Sequence, residues 1–324
     1  MGGIIASGPQ RLDNTYALAY DPLWVDAPRR TMQRIAVFAA LTFVTVGSAL
    51  VFSIPSAQVI QGPEVEQFLK KARFVAREPL GSGVTASLKV TLELDGDRRF
   101  AVLKTIDQSR PGARPNAAGQ IEIDFQDSWR TEVAAYELDK LLGLGMVPAT
   151  VERRSPYDDK PGSLQLWVEA AMSEADRRRR AVIPPDANRW AEQLGNLFIF
   201  DALIYNTDRH PDNLLITDTF DVRLIDHSRS FRPNAELRNE ESLQHFSRPL
   251  LEKIGRLNKS VLGESLGDYL TLTQIDGLLR RRQLLLDLAN RRAKELGQQG
   301  AFDPETGWRE NREPDSYRLA EHVM

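Results

Sequence analysis

The 324-residue chain contains no cysteine, which removes disulfide scaffolds, thiolate zinc sites, iron–sulfur clusters and cysteine nucleophiles from consideration. Histidine is scarce: only His210, His227, His245 and His322 occur, with no HExxH pair, so a histidine-rich metal site is not expected. Neither sign of charge dominates. The 42 Lys and Arg face 45 Asp and Glu, a net charge of −3, which argues against a dedicated nucleic-acid binder. No internal repeat is visible. What the chain does have is 42% hydrophobic and 27% charged residues, the balance of a folded protein long enough to bury a substantial core.

Ile35 to Ile54 reads IAVFAALTFVTVGSALVFSI, twenty residues without a charge, long enough to cross a bilayer as a helix. Arg29, Arg30 and Arg34 precede it and no charge follows until Glu64. By the positive-inside rule the tail, residues 1–34, stays cytoplasmic and the rest lies across the membrane. Two readings stand: a single-pass anchor, or a cleaved export signal starting at Met32 and cut after Ser56-Ala57. Arg29-Arg30 weakly matches a twin-arginine signal, whereas Met1-Gly2 fails as a myristoylation signal because Ala6 stands where Ser or Thr is required. A buried core helix is the third, blander reading.

Beyond this run the pattern is α+β: a β-rich part, residues 64–172, then a helical part, 173–300, with a tail at 301–324. VTLEL (90–94) and FAVLK (100–104) flank Asp95-Gly96-Asp97, a hairpin signal. A loop rich in Pro, Gly, Ala and Asn is expected at 109–120. Residues 130–142 predict a helix stopped by Gly143, with Ala134, Leu138, Leu141 and Leu142 on its apolar face. Leu164 to Ala171 reads as a buried strand, 187–205 as an amphipathic helix, and 214–217 with 222–225 as a second hairpin. Thr273 to Asp276 has the form of a capping box opening a helix that runs to Gly297.

The stretch NTDRHPDNLLITDTFDVRLIDHSRSF (206–231) carries the chemistry. Asn213 follows Asp208 by five residues, and Asp226 comes thirteen later, across two short strands. Phosphoryl transfer from ATP needs a carboxylate to orient the attacking hydroxyl and accept its proton. It also needs an amide oxygen and a second carboxylate to hold Mg²⁺ or Mn²⁺ against the phosphates. The second hairpin turns the chain back so that Asp226 faces Asn213. Upstream, Gly81, Ser82 and Gly83 between two strand-like runs are suited to cover phosphates, although Ala86 stands where a third glycine would be expected. Lys104, ending a hairpin strand, is suited to neutralise the α- and β-phosphates. Glu132 or Glu137, on the following helix, could hold it.

These segments resemble the atypical branch of the kinase superfamily. TEVAAYELDKLLGLGMVPATVERR with NTDRHPDNLL resembles secretory-pathway kinases of the four-jointed type. DALIYNTDRHPDNLL with LIDHSRSF resembles the catalytic and metal-binding segments of phosphatidylinositol 3/4-kinase-like proteins. The similarity spans about residues 78–300. It implies a bilobal kinase-like fold, Asp208 as catalytic base, Asn213 and Asp226 as metal ligands, and a Lys104–Glu132 ion pair, with Glu132 chosen over Glu137 by the resemblance. It also places an adenine-receiving hinge around Leu166–Glu169. Asp208-Arg209-His210 replaces His-Arg-Asp, and Asp226-His227-Ser228 replaces Asp-Phe-Gly, both compatible with the atypical branch. The missing cysteines favour a bacterial-type relative.

The expected protein is thus a monomeric, membrane-anchored or exported ATP- and Mg²⁺-dependent kinase with a hydroxyl acceptor on a protein, sugar or lipid. A kinase fold that binds nucleotide without turnover is the alternative. A third class is a serine hydrolase: Gly263-Glu264-Ser265-Leu266-Gly267 fits G-x-S-x-G, with His322 downstream. Asp208 and Asp226 also fit ordinary turn and cap roles. Arg209 and Arg229 suit either a carboxylate or a phosphate partner. Arg177–Arg180 reads as a solvated helix face or as a patch for an acidic partner.

Overall fold

The protein is described by a computed structural model over residues 58–81, 87–115 and 121–302. The apolar run 35–54, the residues before it, Ser82, Gly83 and His322 lie outside the described residues. Among the described residues, no helix is long and apolar enough to cross a membrane.

Helix α1 (Pro63–Lys71) leads into strands β1 (Arg73–Pro79), β2 (Leu88–Leu94) and β3 (Asp97–Lys104). The β2–β3 turn closes with Leu94 opposite Asp97 and positive φ at both Asp95 and Gly96, the two-residue geometry that matches strand twist. Next come β4 (Asp107–Pro115), β5 (Ile121–Ser128), α2 (Trp129–Leu142), β6 (Thr150–Arg154), β7 (Pro161–Leu166) and β8 (Ala171–Ser173). The helical part holds α3 (Glu174–Arg179), α4 (Ala187–Ile204), α5 (Arg248–Arg256), α6 (Lys259–Leu266), α7 (Leu272–Glu295) and α8 (Gly297–Phe302), interrupted by β9 (Leu214–Thr217) and β10 (Val222–Leu224).

Three sheets result: an antiparallel β1-β2-β3-β7-β6 sheet, a small β10-β9-β8 sheet and the β4–β5 ribbon. Val90, Leu92, Ala101, Leu103, Leu164 and Leu166, on alternate positions of three neighbouring strands, are all essentially inaccessible to water. Each of the valine and leucine side chains contributes about 1.5–3 kcal/mol on burial. Helix α2 starts at Ser128, whose hydroxyl accepts from Arg130 N–H, and stops at Gly143 in the left-handed conformation.

Several sequence expectations are corrected. Of the segment 109–120, expected to be a loop, residues 109–115 instead belong to strand β4, whose register shifts between Arg110 and Ala113, around Pro111 and Gly112, while 116–120 lie outside the described residues. A two-stranded ribbon tolerates proline at such irregular edge positions, so composition hid the strand. Leu141 is partly exposed rather than core. The run Leu164 to Ala171 is not one strand, since β7 ends at Leu166 and β8 begins at Ala171. The α7 capping box is Thr271 with Gln274, two residues ahead of the expected start. The arginine run departs from a solvated face only at Arg177, which is buried, bound to Glu174 and set over the Trp190 ring; Arg178 (which also reaches Glu174), Arg179 and Arg180 are exposed. Ser265 sits inside helix α6, preceded by helix α5, so the strand–turn–helix setting of a nucleophile elbow is absent there.

Candidate active site

Lys104 ends β3 and Glu132 lies in the first turn of α2, and the two meet at 2.6 Å (Nζ to Oε1). The same ammonium donates to Asp226 Oδ1 at 2.7 Å. Glu137, the other candidate partner, pairs with Lys140 instead. Burial alone would pull the lysine down, but the carboxylates of Glu132 and Asp226 outweigh it and hold Lys104 above its ordinary value. Burial likewise opposes the charge on Glu132, yet Lys104 and the His227 side chain keep its carboxyl well below the usual range; the His227 backbone N–H also donates to Oε2 at 3.0 Å.

The second hairpin forms this site's floor. Leu214 pairs with Leu224, and Ile225 N–H donates to the Asn213 carbonyl at 3.2 Å, so the chain returns Asp226 beside Asn213. Asn213 Nδ2 donates to the Asp208 carbonyl at 3.1 Å, which leaves its Oδ1 as an acceptor. Asp208 itself is half-buried. Burial raises its carboxyl, and Asp226 and Asp127 add to that, while Arg229 and His210 pull the other way and lose.

Arg209 braces both halves. Its guanidinium binds Asp201 through two bonds of 2.8 and 3.1 Å and reaches the carbonyls of Asn213 and Ile225, each at 2.8 Å. It also contacts His227 Nε2 at 3.0 Å. Because a guanidinium only donates, Nε2 accepts, and the ring proton sits on Nδ1, 3.6 Å from Glu132 Oε2. Arg209 thus has a carboxylate partner, and Arg229 has two carboxylate neighbours, its Nε lying 3.6 Å from Asp127 Oδ2 and 3.8 Å from Asp208 Oδ2. Sequence reasoning missed Asp127 and Asp201. Asp201 sits eight residues before Arg209, but α4 ends between them at Ile204, so no helical spacing pointed to the pair; Asp127 lies on β5, in a segment to which the sequence assigned no element.

Arg281 of α7 is wholly buried and makes no direct ion pair among the described residues. Its guanidinium donates to the carbonyls of Leu203 (2.8 Å), Arg232 (3.0 Å) and Asn234, and burial lowers it to about 10. The remaining candidates are not drawn into this cluster. Gly81 occupies the turn after β1 with positive φ and open space around it. Glu169 is exposed, and the Gln58 side-chain amide takes its backbone N–H (3.0 Å) and the Trp167 carbonyl (2.9 Å).

Among the described residues, no three acidic or imidazole groups lie together so as to cage a metal unaided. The Asn213 amide oxygen and the second Asp226 oxygen are hard donors that suit Mg²⁺, an ion that keeps waters and phosphate oxygens in its shell. The donor set therefore fits a nucleotide-bound divalent cation better than an all-protein metal site.

No protein-family profile matches the sequence, and no curated protein matches it significantly. The fold, by contrast, is similar to the crystal structure of the Golgi casein kinase, with a TM-score of 0.53 at 14% identity over 74% of this chain and 76% of that one. At that identity the likeness shows the fold and nothing finer. The chain has a mixed α/β kinase-like fold, with a sheet-bearing N-terminal region and a helical C-terminal part.

Proposed function

We propose that the protein is a phosphotransferase that uses ATP with Mg²⁺ or Mn²⁺ and passes the γ-phosphoryl group to a hydroxyl acceptor on a protein, sugar or lipid. The observation that carries this reading is Lys104 bridging Glu132 and Asp226 within 2.7 Å, with Asn213 and Asp208 adjoining through the second hairpin. A bound Mg-nucleotide would supply the electrophilic phosphorus and screen its charge. Asn213 and Asp226 would hold that cation. Lys104, fixed by Glu132, donates to phosphate oxygens. Asp208 orients the acceptor hydroxyl and takes its proton on a carboxylate oxygen; its raised pKa suits a base. Gly81, Ser82 and Gly83 would cover the phosphates, and the segment near Glu169 would receive the base.

The apolar run 35–54 supports placing this activity beyond a membrane, anchored there or exported; protease accessibility on intact cells tests that. The activity itself is tested by incubating the full chain with labelled ATP, Mg²⁺ and cell extract, then separating protein, lipid and soluble fractions. Label in one fraction, abolished by Asp208→Ala, is the expected result. Transfer unaffected by that substitution overturns the assignment of the base. Nucleotide binding without transfer points to an inactive kinase-fold module.

A further inference from the structure

The Asp208 carboxylate has a neighbour that phosphoryl transfer, as derived above, does not use. Arg229 follows Asp226 by three residues, and its Nε lies between two carboxylates, 3.6 Å from Asp127 and 3.8 Å from Asp208. Asp127 closes strand β5 with its side chain only 2% exposed. Its Oδ1 is buried with no hydrogen-bond partner among the described residues. A buried carboxylate left so short of donors is costly unless a cation compensates it.

Three further contacts hold the arrangement. Ser128 N–H donates to the Ser228 carbonyl at 2.9 Å, which clips the end of β5 to the residue before Arg229. Thr207 Oγ1 donates to the Arg229 carbonyl at 3.0 Å, tying in the residue before Asp208. The Phe125 ring lies under the guanidinium, 5.4 Å away. The Arg229 side chain keeps 28% exposure.

We infer that Arg229, anchored on Asp127, is a positioning residue that fixes the Asp208 carboxylate for the acceptor hydroxyl. This inference rests on the kinase reading. The anchor Asp127 is buried whereas Arg229 is partly exposed, so Asp208 is steered by a residue outside the metal-binding pair. A displacement of about 1 Å at such a position costs on the order of 100-fold in rate.

The test is steady-state transfer by the full chain carrying Arg229→Ala, Arg229→Lys, Asp127→Asn, or Asp127→Asn with Arg229→Ala. The expected result for Arg229→Ala is a kcat reduced about 10–100-fold, with KM for Mg-ATP within about threefold. Arg229→Lys should recover part of the loss, keeping charge without the fork. The double variant should be no slower than Arg229→Ala alone. A kcat within about twofold of wild type for Arg229→Ala, or effects of the two substitutions that multiply, overturns the inference while the kinase reading stands. If the alanine variant folds poorly, the isosteric Asp127→Asn carries the same criterion. A wild type that transfers nothing overturns the kinase reading, and this inference falls with it.

Discussion

Lys104 and Asp226 stand 122 residues apart in the chain and 2.7 Å apart in space. The β3 end and the segment after β10 are thereby joined by one ammonium, whose other partner, Glu132, is 2% exposed. Replacing Lys104 by Met strands that carboxylate without compensation, which costs about 3–5 kcal/mol. Lys104→Met should lower the urea unfolding midpoint accordingly and abolish transfer. Glu132→Gln should lose activity with a smaller loss of stability.

The same pair sets a pH dependence with two limbs. Glu132 is held below its ordinary 4.5, so its stabilisation is complete above that value and is lost as pH falls toward the folded-state pKa. Lys104 is held above its ordinary 10.5, so its stabilisation is complete below that value and is lost as pH rises toward the folded-state pKa. Urea midpoints across this range should fall more steeply at both ends for wild type than for Lys104→Met with Glu132→Gln.

Asp208 behaves oppositely. Its carboxyl is raised by burial, so its contribution is favourable below the ordinary 3.8 and is lost as pH rises through the folded-state pKa. At neutral pH the charged form is a net cost to the fold. Asp208→Asn should therefore raise the thermal midpoint while lowering transfer by about 10²–10⁴-fold. A lower midpoint would show that the carboxylate serves the fold instead.

Asp226 and Asp208 should also separate by ligand dependence. Thermal midpoints with and without Mg-ATP are expected to show stabilisation of wild type, reduced by Asp226→Asn far more than by Asp208→Asn. A ligand at 100 times its Kd contributes about 2.7 kcal/mol, a shift that such a scan reads easily. Equal loss in both variants would remove Asp226 from the metal role proposed for it.

Much of this was legible because local rules and global fold agree. Asp95-Gly96 specified its hairpin, Gly143 its helix end, and the Asp208-Asn213-Asp226 spacing was converted by the β9–β10 return into proximity. What was missed followed from contacts between distant segments. Asp127 lies on β5, whose ribbon partner β4 was read as part of a loop because of its prolines and glycine, and its own partner Arg229 is 102 residues later. Glu174 drew Arg177 out of what is otherwise a solvated face, because helical spacing three residues apart favours that pairing. The G-x-S-x-G match had the right letters on the wrong element.

Arg281 has a mechanical consequence. A single cation grips the carbonyl ending α4, just before the turn to Asp208, and two carbonyls beyond Asp226. Gly277, one turn earlier on the same helix, sits so close to the Pro233 backbone that an added methyl would meet its oxygen at 2.7 Å. The strands of chain carrying the two aspartates are therefore moored to one rod: α7 must travel with them, and neither can drift from the other without tearing out a buried charge.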